Sequence, residues 1–554
     1  MKKIYNTFTH TGIDVTEGVT MKTTAHRITK ASAWLAAAAA LLLALPAGAA
    51  PKHGGTLNVV WQSMNTLNPA VQSGAATAVP GSQIFAGLVQ MDAHYRPQPY
   101  LATSWTIAPD GLKYTFHLVK DATFQDGTPI TSADVAFSLM AVKKYHPFGP
   151  LMFGAVESVD TPDPYTVVVK LSHPAPQFMQ ALQPFLMPIM PKHVYGEGSL
   201  PTNPHNVQDV VGSGPYKVAE YKPGEDLVLV RNPNFFRKGR PYLDRIVFKI
   251  YQDPLSAFLA FKKGDMDYAP FAPFQFRDLA SLQADKSGAF AVNTDDYRAE
   301  GLVYYIELNL RKKPFDDVRV RRALQYAIDR NFLAQKLLVG QVTPADSILA
   351  SGNPFYSRAS LVEYPYSLDK AKRLLDEAGL KPDAHGIRFS FNLDIAKWSE
   401  NVHVPMAEYV REQLKKIGVQ VTLRNFPDFP SWAKDVGSWN YDATTNGIWN
   451  YPDPTIGVDR LFACANIRHL VWTNTEGYCN KSVDELMAKA ADATDPAQRK
   501  KLYGEFQHAI STDEPLLMMV QGSYATASHT YVKDLPHSVW GPIAPWDRVY
   551  LDKK

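Results

Sequence analysis

Short runs in which apolar and polar side chains alternate predict the strands of this chain. Residues 114–118 read Tyr-Thr-Phe-His-Leu, and Asp-Gly dipeptides stand on both sides of them, at 110–111 and 126–127. Alternation between turn residues is typical of a half-buried strand. Similar apolar runs predict strands at 56–61, 166–170 and 246–250.

Apolar residues at helical spacing separate these strands. Thr131 and Asp134 predict the capped start of one helix. Cap residues and glycine stops predict further helices at 256–263, 318–328 and 367–378. A last helix is expected to open at Pro405 and to end at Gly418, before a strand at 419–423. Its apolar face would consist of Met406, Tyr409, Val410, Leu414 and Ile417. This alternation of strands and helices predicts a layered α/β fold.

Length and composition leave room for two or three domains. The chain has 554 residues, of which 45% are hydrophobic and 20% charged, as in an ordinary soluble protein. The net charge is +3, and the first fifty residues alone carry five Lys or Arg against two Asp or Glu. The remaining chain carries 52 charges of each sign. Neither a nucleic acid partner nor a basic membrane patch is therefore indicated.

An export signal is expected within residues 1–49. Three basic residues between 22 and 30 precede an almost wholly apolar run at 31–45, and small residues follow it. The run is shorter than the roughly 20 apolar residues of a membrane span, which argues against the alternative of a membrane anchor. We predict cleavage after Ala49 and a free periplasmic protein, and a start at Met21 would give a signal of normal length.

The chain contains two cysteines, Cys464 and Cys479, fifteen residues apart. In an oxidising compartment such a pair is expected to form a structural disulfide. The alternative is a redox or metal site, but the sequence has neither a CxxC spacing nor clustered histidines to support one.

A secreted enzyme is the main competing class of protein. The sequence lacks a G-x-S-x-G elbow, a HExxH helix, a Walker loop and a G-x-G-x-x-G turn. Its fifteen histidines are scattered, and the paired carboxylates Asp316 and Asp317 stand at a predicted helix start, where the helix dipole explains them. No catalytic residue, metal ligand or cofactor is predicted.

The stretch 99–139 reads PYLATSWTIAPDGLKYTFHLVKDATFQDGTPITSADVAFSL. Its order of L-A-x-S-W, D-G, Y-T-F-x-L, F-x-D-G and T-x-x-D-V resembles the signature of the family 5 extracytoplasmic solute-binding proteins, which are peptide-type receptors of ABC importers. Further segments similar to that family are VGSGPY at 211–216, RNPN at 231–234, GRPYLD at 239–244, PFDDVRVRRA at 314–323, AIDR at 327–330 and YPDP at 451–454.

The resemblance implies an α/β fold of the two-lobe periplasmic-binding-protein class (type II, the large peptide-binding type) with an inserted third subdomain. After the signal region, the expected division is 50–90 for the first segment of lobe 1, 91–211 for the inserted subdomain, 212–300 for the second segment of lobe 1, 301–520 for lobe 2 and 521–554 for the return to lobe 1.

Three loops are the expected walls of a ligand cleft. The first, at 61–69, follows the first strand, where ligands of open α/β sheets gather. The second, at 396–401, precedes the helix expected at Pro405, and the third, at 445–454, is rich in Gly, Pro and aromatic residues. The ligand-binding residues that we predict from these loops are Trp61, Ser63, Asn65, Lys397, Trp398, Asn446, Trp449, Asn450 and Asp453.

Two positions depart from what the resemblance implies. Dipeptide-binding members of the family place an Asp three residues before the D-P pair, where it pairs with the ligand's ammonium, and this chain has Asn450 there. They also place an Arg nine residues before a Met-Ala-Glu helix segment, and this chain has Lys397. Losing the anionic partner costs about 1.5–3 kcal/mol, which argues against a free dipeptide as the ligand.

The sequence therefore predicts a periplasmic receptor, not an enzyme, that closes two lobes around a small peptide and delivers it to an inner-membrane ABC permease with its ATPase. We expect a monomer in which the Cys464–Cys479 bridge braces the loop beside the site. The alternatives are a receptor for another polar solute on the same fold, such as an oligosaccharide, an opine or a nickel complex, and, further off, a secreted hydrolase.

Overall fold

The structure is a computed structural model that describes residues 51–522 and 524–553. The expected signal peptide lies outside the described residues. No helix in the described ranges is both long and apolar enough to cross a lipid bilayer.

Strands run through the whole described chain. In order they are β1 (Thr56–Trp61), β2 (Val89–Met91), β3 (Pro97–Pro99), β4 (Ala102–Ile107), β5 (Lys113–Leu118), β6 (Val156–Asp163), β7 (Thr166–Leu171), β8 (Tyr216–Lys222), β9 (Asp226–Arg231), β10 (Arg245–Ile250) and β11 (Tyr268–Ala269). The later ones are β12 (Phe290–Asn293), β13 (Leu302–Leu308), β14 (Thr343–Pro344), β15 (Phe389–Ile395), β16 (Val419–Asn425), β17 (Ala443–Ile448), β18 (Leu516–Gly522), β19 (Thr526–His529), β20 (Val532–Lys533) and β21 (Tyr550–Leu551).

Helices lie between the strands in both halves of the chain. Those before β13 are Ala75–Ile84, Ser132–Tyr145, Gly149–Phe153, Phe178–Ala181, Lys192–Tyr195, Pro254–Lys263 and Phe276–Gln283. Those after it are Val318–Tyr326, Arg330–Phe332, Leu368–Glu377, Glu400–Lys415, Phe429–Gly437, Pro454–Gly457, Lys481–Asp492 and Pro496–Asp513.

Two large mixed sheets organise the molecule. The first has seven strands in the order β12-β19-β11-β1-β10-β9-β8, with β1 parallel to both of its neighbours. The second has six strands in the order β14-β18-β13-β17-β15-β16, with β15 parallel to β16 and β17. The four antiparallel strands β4-β5-β7-β6 form a separate sheet. The chain passes from the first large sheet to the second at 294–301, after β12, and returns between β18 and β19.

Local sequence signals explain most element ends. Asp317 caps the helix Val318–Tyr326 by accepting the Arg319 amide hydrogen, and Ser367 caps the helix Leu368–Glu377 in the same way. Gly264 ends the helix Pro254–Lys263 with a φ of +92°, a left-handed conformation that glycine adopts without a steric cost.

The expected start of one helix is wrong. The helix begins at Glu400, and Pro405 lies inside its second turn instead of opening it. Proline in a helix interior costs about 3 kcal/mol. The extra first turn buries Val402, and burying an apolar side chain contributes about 1.5–3 kcal/mol. Burial of that turn therefore offsets the broken backbone hydrogen bond. The expected apolar face of this helix is confirmed, since all five of its residues are buried.

The predicted disulfide is confirmed and closes a fifteen-residue separation between Cys464 and Cys479. Its loop carries Trp472, whose carbonyl oxygen accepts a hydrogen bond from Arg460 at 3.0 Å. The side chain of Asn466 in the same loop donates to the Arg460 carbonyl oxygen at 2.6 Å. The bridge therefore helps to hold Arg460 and Trp472, which line the same cavity.

Removing this bridge is expected to destabilise the protein. Replacing both cysteines with alanine frees the loop in the unfolded chain and lowers the free energy of unfolding by about 3 kcal/mol in the chain-entropy model. The loss is measured by urea unfolding of the double variant and of the reduced parent, each compared with the oxidised parent. Equal stability of the oxidised parent and the double variant would contradict a structural role for the bridge.

Candidate functional site

A cavity of 480 Å³, called here the front cavity, lies between residues of the two large sheets and their helices. From the seven-stranded side it is lined by Gln62, at the end of β1, and by the segment around Phe271 and Phe276. From the six-stranded side it is lined by Tyr304 of β13 and by residues 397–402, which lead into the helix Glu400–Lys415. Both halves of the molecule therefore contribute to one concave surface.

A second space of 210 Å³ adjoins the front cavity and shares Trp398 and Tyr524 with it. We call it the aromatic cavity because rings form most of its wall. Its complete lining is Ser73, Gly74, Phe148, Trp398, Gly447, Ile448, Trp449, Tyr451, Arg460, Trp472 and Tyr524. A mostly apolar concave surface with few polar groups is the usual character of a small-molecule site.

Ring packing fixes the walls of both cavities. Trp398 stacks on Tyr304 with centroids 5.8 Å apart, and Trp449 stacks on Phe271 at 6.1 Å. The indole nitrogen of Trp449 donates to the Tyr524 hydroxyl at 3.1 Å. Offset ring pairs of this kind contribute about 0.5–1.5 kcal/mol beyond the area they bury. In this arrangement the aromatic walls are therefore held in place by contacts within the protein.

Contacts across the cleft join the two halves directly. Phe148, from the inserted part of the first half, packs edge-on against Tyr451 at 5.5 Å. The guanidinium of Arg460 lies over the face of the same Phe148 ring at 4.7 Å. Tyr451 also contacts Trp540 of the first half at 5.8 Å. The two halves are in contact around the aromatic cavity.

Backbone strain is concentrated at these cavities. Four lining residues, Phe271, Ser399, Tyr451 and Trp472, have φ values of +48° to +60°, a left-handed region that non-glycine residues seldom adopt. Each such residue costs of order 1–3 kcal/mol, and strain of this kind clusters at ligand-binding sites.

Tyr524 occupies the second crossing between the large sheets, beside the first crossing. The Tyr297 hydroxyl of the first crossing and the Thr526 hydroxyl are 2.7 Å apart, and Tyr297 also accepts the Phe271 amide hydrogen at 2.7 Å. Burial raises the pKa of Tyr524 well above its usual value, so its hydroxyl stays protonated at every physiological pH. The two connections and the cavity wall form one hydrogen-bonded unit.

A neutral histidine supports the Trp398 wall. His403 is fully buried, with ring centroids 4.5 Å from Trp398 and 5.3 Å from Tyr304. Neither ring nitrogen has a hydrogen-bond partner among the described residues. Burial lowers the pKa of His403 to about 3, because the charged imidazolium would lose its hydrating water and gain no partner that replaces it.

The low pKa of His403 predicts a specific acid sensitivity. The unfolded histidine titrates near pH 6.5, so between pH 6.5 and 3 the unfolded chain binds the proton that the folded protein excludes, and stability falls as the pH falls. Replacing His403 with Leu is expected to reduce the loss of unfolding free energy between pH 7.5 and 4.5 by up to about 2.7 kcal/mol. Urea unfolding at both pH values measures this difference. His94→Leu, at an exposed position, controls for the loss of an imidazole, and an unchanged pH dependence in the His403 variant would contradict the assignment.

The structure brings three of the residues predicted from sequence together at the cleft. Lys397 lines the front cavity, Trp449 lines the aromatic cavity and Trp398 lines both. Lys397 is also in ion-pair contact with Glu400, one turn further along the chain. Its charge is therefore already partly neutralised by the protein.

The other residues predicted from sequence do not line either cavity. Trp61 is buried and donates to the Ala76 carbonyl oxygen at 3.2 Å, while Ser63 and Asn65 are exposed. Among the buried polar residues, Asn446 donates to Glu307 at 2.9 Å, and Asp453 forms a two-pronged ion pair with an arginine.

Asn450, which stands where dipeptide binders carry an aspartate, is fully buried. Its amide oxygen accepts the Ala350 amide hydrogen at 2.6 Å, and its amide nitrogen donates to the Ile348 carbonyl oxygen at 2.8 Å. Both ends of the amide are thus used to hold the chain at the cavity wall.

Several lining residues carried no signal that sequence reasoning used. Phe148, Arg460, Trp472 and Tyr524 come from four separate segments, and only Arg460 lies near the predicted loop at 445–454. These four residues form no motif in the sequence, because their side chains meet only through the tertiary fold. The position of Trp472 inside the disulfide-closed loop was the one available indication.

Comparison with known proteins agrees with this geometry. The family model for bacterial extracellular solute-binding proteins, family 5 Middle, matches residues 96–469. The oligopeptide-binding protein AppA of Bacillus subtilis is 29% identical over 490 residues, which cover 84% of this chain and 86% of AppA. The periplasmic oligopeptide-binding protein OppA of Salmonella typhimurium is 26% identical over 521 residues, or 88% of this chain and 90% of OppA.

Solved structures give the same result. AppA from Bacillus subtilis in complex with a nonapeptide superposes with a TM-score of 0.78 at 26% identity, covering 91% of this chain and 100% of that one. NikZ from Campylobacter jejuni in complex with Ni(L-His) gives a TM-score of 0.75 at 25% identity, covering 87% and 97%. These comparisons confirm the resemblance and the two-lobe α/β fold expected from it. The chain belongs to the bacterial extracellular solute-binding proteins of family 5.

Proposed function

We propose that this protein captures a peptide between its two lobes and delivers it, chemically unchanged, to an ABC permease and its ATPase at the bacterial inner membrane. The relatives AppA and OppA are named for oligopeptide binding, and AppA holds a nonapeptide in its solved structure. The protein would act in the periplasm, as a monomer, after removal of the signal region.

The observation that carries this proposal is the shared lining of the two cavities. Gln62, Phe148 and Phe271 come from the half of the seven-stranded sheet, whereas Trp398 and Trp449 come from the half of the six-stranded sheet. A ligand that contacts both sets of residues stabilises the closed arrangement over an open one. Binding thereby shifts the protein from the open to the closed arrangement, which a permease can recognise.

The lobe division supports the same mechanism. We assign 50–90, 212–300 and 521–554 to lobe 1, with 91–211 inserted, and 301–520 to lobe 2. The crossings at 294–301 and between β18 and β19 then act as the hinge. The sheets support these boundaries, because all strands from β13 to β18 belong to the six-stranded sheet and none belongs to the seven-stranded sheet.

A peptide fits the cleft through its main chain and its apolar side chains. Strand β17 pairs with β15 only at Ala443 and Thr444, so its last residues, which line the aromatic cavity, face that cavity without a neighbouring strand on the β15 side. An extended peptide can bind there by strand addition, in which main-chain hydrogen bonds give affinity whatever the peptide's sequence. Trp398 and Trp449 would form stacking walls, and Lys397 would supply a polar contact.

Mass spectrometry of the cargo tests the proposal. The protein is purified from its expression host, denatured, and the released small molecules are identified. Intact peptides support the proposed function, and they are then added back in a thermal-shift assay, where a ligand of the folded state raises Tm. Peptide fragments that accumulate with time would instead indicate a hydrolase.

A screen against other solutes tests the alternative ligands. Oligosaccharides, an opine and a nickel–histidine complex are added in parallel with a peptide mixture. A rise in Tm with a non-peptide solute and none with peptides would overturn the peptide assignment while keeping the solute-binding family. The described residues contain no cluster of three or more side chains suited to hold a metal ion, so a nickel ligand would have to arrive already chelated.

A further inference from the structure

One cation in the cleft lacks a counter-charge. Arg460 lines the aromatic cavity from a short turn, Asp459–Leu461, that follows the Trp449 wall. Its Nε donates to the Gly457 carbonyl oxygen and its Nη1 to the Trp472 carbonyl oxygen, both at 3.0 Å. These neutral partners orient the guanidinium but do not neutralise it.

No carboxylate lies within ion-pair distance of Arg460 in the part of the chain that the structure describes. The adjacent Asp459 turns away and accepts a hydrogen bond from Tyr503 at 3.2 Å. Burial lowers the pKa of Arg460 from its usual value, yet a guanidinium keeps its proton under all physiological conditions. Buried charges are normally paired, because desolvation is otherwise costly.

Two other charged side chains of this half show the usual pairing. Arg499 is paired through two hydrogen bonds with Asp453. Lys397 in the front cavity is paired with Glu400. Arg321 is held by main-chain oxygens, as Arg460 is, but it does not line the cavity. The lining of the aromatic cavity contains no Asp or Glu, so Arg460 gives this space a net positive charge.

The opposite wall favours the same kind of ligand. The helix Ala75–Ile84 begins directly after Ser73 and Gly74 of the cavity lining. The Gln72 side chain accepts the amide hydrogens of Ser73 and Gly74, and Gly74 has no side chain to cap the first turn. The positive end of a helix dipole attracts anions. Arg460 and this helix start belong to different halves of the molecule, so one anion between them would join the two halves.

We propose that Arg460 binds a carboxylate of the solute, and that the aromatic cavity takes an apolar group next to that carboxylate. This inference rests on the proposed solute-binding function and narrows it to carboxylate-bearing ligands. The carboxylate could be the terminus of a peptide or belong to a small organic acid. The Nε and Nη1 donors are held by main-chain oxygens. Nη2 has no partner among the described residues, so it is the donor left free for a ligand.

Matched ligands test the assignment without changing the protein. The tripeptide Ala-Ala-Phe as free acid, its C-terminal amide and 3-phenylpropionate are titrated by calorimetry. The free acid is expected to bind about 10- to 150-fold more tightly than the amide, the range for a hydrogen bond to a charged group. If 3-phenylpropionate binds and Ala-Ala-Phe does not, the carboxylate belongs to a small organic acid.

Variants then assign the effect to the residue. Arg460→Met is expected to remove the preference for acid over amide, and Arg460→Lys to retain part of it, because lysine keeps the charge without the planar fork. Arg358→Met, at an exposed arginine, should keep the full preference. The parent's comparison of acid with amide stands even if Arg460→Met fails to fold.

Two results would overturn the inference in distinguishable ways. Equal affinity of the parent for acid and amide would reject the carboxylate contact while leaving peptide binding intact. No binding of the tripeptides, together with no rise in Tm in the peptide screen, would reject the proposed function itself. An acid preference that persists in Arg460→Met would place the contact on another residue.

Discussion

Replacing Arg499 with Met is expected to lower the free energy of unfolding at pH 7 by about 3–5 kcal/mol, the usual cost of breaking a buried ion pair from one side. Arg499 Nη1 and Nη2 donate to the two carboxylate oxygens of Asp453 at 2.5 and 2.8 Å, and Asp453 is fully buried. Asp453 also caps the turn that leads from the Trp449 wall to Arg460. Without Arg499 a carboxylate would remain buried with no counter-charge.

The pH dependence of this loss has a definite sign. Burial, with a contribution from the nearby Asp453 charge, raises the pKa of Asp459 to about 7, and Arg499 is the cation that opposes this rise. In Arg499→Met the Asp459 carboxyl loses this cation and holds its proton to higher pH in the folded state than in the unfolded chain. The variant's stability should therefore fall further as the pH rises from 5.5 to 8.

Urea unfolding at pH 5.5 and 8 measures both effects. The double variant Asp453→Asn/Arg499→Met should regain part of the lost stability, because it leaves no unpaired charge at the pair. Arg411→Met, which breaks an exposed pair with Glu412, should change stability by less than about 1 kcal/mol. An Arg499→Met protein as stable as the parent at pH 8 would contradict a structural role for the pair.

Replacing Trp449 with Ala is expected to weaken peptide binding by about 2–4 kcal/mol, or about 30- to 1,000-fold in Kd, the size of effect seen at central aromatic contacts. Trp449 lines the aromatic cavity, stacks on Phe271 and donates to Tyr524 at the second crossing. Its removal takes away a ligand wall and also a link between the lobes. Calorimetric titration with the peptide cargo measures the loss.

A matched control separates this effect from general destabilisation. Trp105→Ala removes a half-buried tryptophan of β4, in the four-stranded sheet, which lines neither cavity. It should leave Kd within about threefold of the parent value, in keeping with a site that acts independently. Unchanged binding by a folded Trp449→Ala protein would remove Trp449 from the proposed site.

Sequence patterns predicted the elements well where local signals were strong. The first strand was expected at 56–61 and is β1, Thr56–Trp61. The helices after Asp317 and Ser367 begin where their caps predicted. The prediction from Pro405 was wrong because proline usually opens a helix, whereas here the helix extends one turn earlier and buries Val402. Tertiary burial, which sequence spacing does not report, outweighed the local preference.

The candidate site was predicted only in part, for a physical reason. Trp398 and Trp449 were found because they stand in loops at strand ends, where ligands usually bind. Asn450 and Asp453 stand in such a loop as well, but their side chains hold the chain itself. Arg460 could not be identified from the sequence, because an arginine can bind an anion strongly only where no carboxylate of the protein already neutralises it. That property belongs to the fold.

The proposed transport function requires that the two lobes close around a solute. Small-angle X-ray scattering of the solute-free protein, and of the same protein saturated with the peptide cargo, tests it most directly. The radius of gyration should decrease on binding, and the bound profile should fit the arrangement in which Phe148 contacts Tyr451 and Arg460. Identical profiles with and without peptide, while calorimetry shows the peptide bound, would contradict it.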